Sequence, residues 1–305
     1  MKNHVFSGID LLPSGHATEE VQQGCMVLEG GAFRGLYTSG VLDALMEEGI
    51  NLSCTIGVSA GALNGVHYVS GQIGRSARLN LRYRHDANYV GGKAILKNRG
   101  VIGFDFAFHE FGKEDPLDAE TFWNPRRRYI AVTTDCLTGK AHYFEKGKCS
   151  DIMQAVRASA SMPYLSSMVM LDGRPYLDGG CACRIPYRFA IHEKFEKIVI
   201  VRTRPADYRK KVKDRPSRTP RRFYRDYPEF AHTLAVADKK YNHQCDEILS
   251  LEKKGRVFVI SPSQPIMISR LEGDMEKLGG LYYLGYDDAK RRMSALKEYL
   301  GLQQA

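Results

Sequence analysis

The pentapeptide Gly57-Val58-Ser59-Ala60-Gly61 has the spacing G-x-S-x-G. That pattern sets a serine on a sharp turn from strand to helix, with its hydroxyl clear of the backbone. Gly57 and Gly61 keep the turn small, so a substrate carbonyl has room to approach. A serine hydroxyl is a weak nucleophile at neutral pH and needs a base. Asp178, in Tyr176-Leu177-Asp178-Gly179-Gly180, is one candidate. An ordinary aspartate has a pKa of about 4. It serves as a base here only if it touches the serine directly and partial burial raises that value. The plain alternative for Asp178 is a turn aspartate before glycine. A third part lies upstream, in Gly30-Gly31-Ala32-Phe33-Arg34-Gly35. Backbone N–H groups in such a loop can point at the oxyanion of an acyl-transfer transition state, each worth about 3 kcal/mol. A helix starting near Gly35 adds a favourable dipole. Arg34 either fixes the loop or adds positive potential. The loop lacks both the G-x-G-x-x-G spacing and the Lys-Ser/Thr of a phosphate-binding turn, which argues against a nucleotide site.

These turns need strands and helices to hold them. Cys25 to Glu29 is a short apolar run that reads as a buried strand ending in glycines. Leu36, Val41, Leu42, Leu45 and Met46 then recur at helical spacing up to Gly49. Cys54 to Val58 is a second apolar strand, and Ala60, Leu63, Val66 and His67 continue as a helix. The order strand, turn, helix, strand, turn, helix predicts a parallel sheet with right-handed crossovers. Both special turns then fall at the carboxyl edge of the sheet, where α/β folds bind ligands. Further strands are expected at 128–134, 140–144, 168–171, 176–177, 197–201 and 256–260. Hairpin turns are expected at Thr138-Gly139 and at Asp172-Gly173-Arg174-Pro175. A helix capped by Ser150 is expected to stop near Pro163. Later helices are expected over 223–254, with a break, and over 286–300.

The chain has 305 residues and 43% hydrophobic content, enough for one large α/β domain with no low-complexity linker. Seven scattered cysteines with no paired C-x-x-C motifs read as reduced thiols. Neither a signal-like run near the start nor a stretch of about 18 apolar residues is present, which points to a cytoplasmic protein. The net charge is +9. Residues 202–222 hold ten Lys/Arg against two acids, a local excess of 10 − 2 = +8. One basic segment of this kind argues against a nucleic-acid-binding face. It is either a solvated linker or a patch, Arg202 through Arg222, that meets anionic membrane at the periphery.

Taken together, Glu29-Gly30-Gly31-Ala32-Phe33-Arg34-Gly35, Gly57-Val58-Ser59-Ala60-Gly61 and Asp178-Gly179-Gly180 resemble the patatin-like phospholipases, as does Ala158-Ser159-Ala160-Ser161-Met162-Pro163. The resemblance covers roughly residues 24–200 and is nearest to bacterial cytosolic members. It implies a three-layer α/β/α fold with a mostly parallel central sheet. It divides the chain into an N-terminal extension at 1–23, a catalytic core at 24–200, and a remainder at 201–305 that packs on the same domain. It implies a Ser-Asp dyad without histidine: Ser59 as nucleophile, Asp178 as base, and Gly30 to Arg34 as oxyanion hole, chiefly through Gly31 and Ala32. It implies lipid or other acyl-ester substrates, an acyl-enzyme intermediate, and no metal or organic cofactor. Ala32 stands where the family has a third glycine. Its N–H can still donate if φ is negative, whereas a positive φ would cost about 1 kcal/mol or more.

Two other functions fit the same residues. A Ser-His-Asp hydrolase needs an imidazole near Ser59, and His67, His192 and His232 are the candidates. A non-catalytic lipid- or partner-binding module would keep the pocket and use the basic segment for recruitment.

Overall fold

A computed structural model describes residues 4–91, 93, 94, 96, 100, 102–212 and 218–302. Part of the basic segment, residues 213–217, lies outside the described residues, as do 1–3 of the N-terminal extension and 303–305.

Eight strands form the central sheet. They are β1 (Gln22–Leu28), β2 (Leu52–Val58), β3 (Arg128–Asp135), β4 (Ala141–Glu145), β5 (Val169–Leu171), β6 (Arg174–Asp178), β7 (Ile198–Val201) and β8 (Phe258–Ile260). Their order is β8-β7-β1-β2-β3-β6-β5, with β4 also on β3. The run β8-β7-β1-β2-β3 is parallel. The pairs β3–β4, β3–β6 and β5–β6 are antiparallel. The two hairpins follow the expected turns, the second one shortened because Arg174 and Pro175 already pair within β6, and one strand beyond residue 200, β8, extends the same sheet.

Strand residues alternate between two apolar layers, as the period of two requires. Met26, Leu28, Val199 and Val201 face one layer, whereas Cys25, Val27, Ile198 and Ile200 face the other. The first layer is covered by helices α1 (Gly35–Glu47), α2 (Ala60–Val69), α3 (Arg75–Tyr83) and α4 (Ile152–Ser159), and by the long C-terminal helix. The second is covered by α5 (Tyr187–His192) and α6 (Pro228–Lys253). The last helix, α7 (Met275–Leu300), lies against α1. This is the three-layer α/β/α fold with a mostly parallel sheet. Phe6 and Leu12, upstream of β1, are buried in the first layer.

Three expectations change. The cap of α4 is Asp151 rather than Ser150: its carboxylate accepts from Met153 N–H (2.9 Å) and Gln154 N–H (3.0 Å). A carboxylate at this position also complements the helix dipole. The C-terminal helix begins at Met275, not near Tyr286, because Asp274 caps it. Gly279, Gly280 and Gly285 had hidden its first three turns from a periodicity reading. The basic segment is also less uniform than its composition suggests. Arg202 is buried and donates to the Ala206 carbonyl (3.1 Å), while Lys210 and Arg209 pair with Asp238 and Asp246.

Candidate active site

Sheet register brings the two motifs together. Val58, the last residue of β2, pairs with Val132 of β3. The next residue of β3, Thr133, pairs with Asp178 at the end of β6. Thr133 also pairs with His142 of β4, which occupies the opposite edge. Hence β2 and β6 lie on the same edge of β3, running in opposite directions, and their ends meet. Ser59 follows one end and Asp178 closes the other. The Ser59 hydroxyl donates to Asp178 Oδ2 at 2.7 Å.

The local backbone explains both motifs. Ser59 has φ +54° and ψ −122°. A non-glycine residue in such a conformation stores about 1–3 kcal/mol of strain, held by its surroundings. Part of the holding is steric. A Cβ at Gly57 would lie 2.4 Å from the Gly61 carbonyl oxygen, and one at Gly61 would lie 2.5 Å from that of Leu28. The rest is a hydrogen bond that the motif reading did not foresee. Ser159 Oγ accepts from Ser59 N–H (2.9 Å) and donates to the Val132 carbonyl (2.6 Å), tying the elbow to β3. Ser159 stands in the run Ala158-Ser159-Ala160-Ser161, which carries part of the family resemblance.

Asp178 is buried, and its second oxygen accepts from Gly180 N–H at 2.7 Å. Burial raises its pKa above the ordinary aspartate value, opposed by the hydrogen bonds from Ser59 and Gly180 and by the charges of Arg184 and Arg270. Among the described residues, no histidine hydrogen-bonds to either side chain. His67 is buried, with Nδ1 2.9 Å from Arg75 Nη1. Burial, then Arg75, pushes its pKa down, so the ring is neutral. His192 and His232 are exposed.

In the glycine loop, the N–H of Gly30 reaches the Arg184 carbonyl, that of Phe33 the Arg270 carbonyl, and that of Arg34 the Gly31 carbonyl. Gly35 N–H caps the short turn Ala32–Arg34. The N–H groups of Gly31 and Ala32 have no acceptor among the described residues. Ala32 has φ +49°, the strained alternative rather than the negative one.

Ser59 opens into a cavity of about 400 Å³ between α2, α3 and residues 102–109. Leu63, Val66, Leu79, Ile102, Phe104 and Phe108 give it an apolar wall. Residues 102–109 carry no periodic pattern in the sequence, so this wall was not foreseen. Among the described residues, no group of three or more His, Cys, Asp or Glu side chains could hold a metal ion. All seven cysteines are free.

The sequence model of patatin-like phospholipases matches residues 26–191, more than half of the chain. The protein belongs to the patatin-like phospholipase family. The uncharacterized protein YjjU of Escherichia coli is 27% identical to this patatin-like chain over 186 residues, 59% of the chain and 52% of its own length. The uncharacterized NTE family protein Rv1063c of Mycobacterium tuberculosis is 28% identical over 174 residues, 53% of the chain and 43% of its own length. The lysophospholipase nte1 of Aspergillus terreus is 29% identical over 171 residues, 51% of the chain and 10% of its own length. The chain therefore spans about half the length of the bacterial relatives and a tenth of the fungal one. A second family model, a domain of unknown function (DUF6363), matches residues 227–301, which hold α6, β8 and α7. The crystal structure of VipD from Legionella pneumophila aligns with 98% of the patatin-like chain and 71% of its own, at TM-score 0.45 and 13% identity. Among the described residues, no helix is long and apolar enough to cross a membrane.

Proposed function

We propose that the protein is a lipid acyl hydrolase that works through a Ser-Asp dyad. The reading is carried by one observation: the Ser59 hydroxyl lies 2.7 Å from the Asp178 carboxylate at the wall of an apolar cavity. Ser59 Oγ attacks the ester carbonyl while Asp178 takes its proton. The carbonyl π electrons move to oxygen, and that oxyanion is met by the N–H groups of Gly31 and Ala32. Collapse breaks the bond to the alcohol, which leaves with the proton from Asp178. The acyl group is now on Ser59 and its chain lies in the cavity. Water then attacks, Asp178 takes a proton from it, and collapse returns that proton to Ser59 Oγ and frees the carboxylic acid. Burial suits Asp178 to this work, because a raised pKa makes it a stronger base than a solvated aspartate.

Residues 24–200 form the catalytic core in this reading, with 201–305 completing the same domain. The protein works in the cytoplasm and touches anionic membrane at its periphery. Arg218, Arg221, Arg222 and Arg225 are exposed around the exposed rings of Phe223 and Tyr164, which lie 5.0 Å apart. Tyr164 is two residues from Met162, which lines the cavity. Basic residues near a charged bilayer are worth about 1 kcal/mol each. Binding to anionic vesicles no better than to neutral ones at low salt would remove this contact.

The central test uses a nitrophenyl ester and a fluorophosphonate probe. The wild type turns over the ester and is labelled at Ser59. Ser59→Ala and Asp178→Asn lose turnover by a thousandfold or more. Wild-type turnover in both variants would end the dyad reading. A folded wild type that the probe does not label would favour the binding module.

A further inference from the structure

The glycine loop is flanked on its other side by arginines from distant parts of the chain. Thr203 packs on it directly: Thr203 Oγ1 donates to the Gly30 carbonyl at 3.1 Å, and a Cβ on Gly31 would lie 2.7 Å from the same oxygen. That contact brings the next residue, Arg204, beside the loop. The carbonyl of Arg270 holds the Phe33 N–H at 3.4 Å, so Arg270 lies beside it as well. Arg34 belongs to the loop itself.

These three arginines differ from their neighbours. Arg184, Arg209 and Lys210 are each closed by Asp238 or Asp246, at 3.1, 2.7 and 3.0 Å. Arg34, Arg204 and Arg270 form no ion pair among the described residues. Arg34 Nε is buried with no hydrogen-bond acceptor among the described residues. A buried unpaired donor on a cation is costly, so a site that keeps one is suited to an anion that arrives from outside. Burial, and then the charge of Arg204, lowers the Arg34 pKa to about 10, and Arg270 adds to this. The charge of Glu29 acts on Arg34 in the opposite sense, and its Oε2 already accepts from Thr203 N–H at 2.6 Å. Arg204 lies over the Tyr208 ring, 4.6 Å from its centre, which holds the guanidinium in place.

We propose that Arg204 and Arg270, with Arg34, form an anion subsite that selects acyl esters carrying an uncapped phosphate over neutral and choline-capped ones. The proposal rests on the acyl-hydrolase reading and names its preferred substrates. On this proposal the cavity and the arginines have different tasks. The apolar cavity takes the acyl chain, and the arginines face the alcohol portion. A guanidinium matches a phosphate with paired N–H donors. A dianionic phosphate meets three cations here that, among the described residues, form no ion pair, although Arg204 also donates to the Ile266 carbonyl at 3.3 Å, and no carboxylate among those residues pairs with them to receive a quaternary ammonium.

Three esters with one acyl chain test it: an acylglycerol phosphate, an acylglycerophosphocholine and an uncharged monoacylglycerol. The wild type should favour the phosphate ester at least tenfold in kcat/KM over either of the others. Arg204→Gln/Arg270→Gln should cut that ratio at least tenfold, mainly through KM, and Arg204→Lys/Arg270→Lys should restore much of it. Should the double variant not fold, Arg270→Gln alone, at an exposed position, takes its place. Equal kcat/KM for the three esters in the wild type, or a ratio unmoved by the Gln variant, overturns the proposal. If no ester is hydrolysed, the acyl-hydrolase reading fails, and calorimetric titration with inorganic phosphate decides the subsite by itself. Binding by the wild type and loss of binding in the Gln variant support it. Equal or absent binding in both refutes it.

Discussion

Two buried aspartates in this molecule have nearly the same surroundings and different consequences. Asp178 accepts from a hydroxyl, Ser59, at 2.7 Å and from a backbone N–H, Gly180, at 2.7 Å. Asp43, on α1, accepts from a hydroxyl, Tyr282, at 2.9 Å and from a backbone N–H, Gly74, at 2.9 Å. Burial raises the pKa of both, and that of Asp43 reaches about 7. Asp43 ties α1 to α7 and to the start of α3, and its partner hydroxyl sits in regular helix. Asp178 faces a serine on a strained turn at a cavity wall. A raised carboxylate with a hydroxyl partner is therefore not a catalytic signature in itself. Access and a strained partner make the difference.

The comparison breaks most sharply in activity. On the proposed mechanism Asp178→Asn should lower kcat/KM by about a thousandfold, since there it removes the positioned base. Asp43→Asn should keep kcat/KM within about twofold, because Asp43 touches no part of the site. Ester turnover by the two folded variants checks both, and a large loss at position 43 would erase the distinction. Ser159→Ala comes next. It frees the Ser59 N–H that Ser159 accepts, and a lost buried hydrogen bond of about 1–2 kcal/mol predicts about a tenfold fall in kcat with little change in KM.

The pH dependence sharpens the pair further. In the proposed mechanism Asp178 must be deprotonated to accept a proton, and burial raises its pKa. Activity should therefore fall as pH falls, with a midpoint above the ordinary aspartate value of about 4. A midpoint at or below that value would contradict the shift. Stability moves the other way. The native state holds the Asp43 proton up to about pH 7, whereas the unfolded chain releases it at about pH 4. The folded state then binds more protons between those values, so stability declines as pH rises through that window. Urea unfolding at pH 5 and at pH 7.5 should show this decline reduced in Asp43→Asn relative to the wild type. The smallest effect expected is at Ala32. Its φ of +49° suits glycine, and Ala32→Gly should gain up to about 1 kcal/mol of stability in the same unfolding experiment.

Much of the site was legible in the chain. The strand-turn-helix order around Ser59 follows from apolar runs and glycines, and it appears as β2, the elbow and α2. Asp178 could be singled out because Tyr176-Leu177 and two glycines frame it. The Ser159 tether was less legible, because a serine among small residues looks the same in any loop. The cavity wall at 102–109 was not legible, since its residues gain meaning only from what packs across from them.

The sequence by itself determined the local conformations: which segments pair as strands, where the turns tighten, and which residue types stand at those turns. Those follow from steric and hydrogen-bonding rules that act over a few neighbours. Only the tertiary structure decided that Ser59 and Asp178, 119 positions apart, share a hydrogen bond. The same holds for Arg34, Arg204 and Arg270 around one loop. Meetings of this kind are set by strand register and layer packing, which are properties of the whole sheet and belong to no single stretch of the chain.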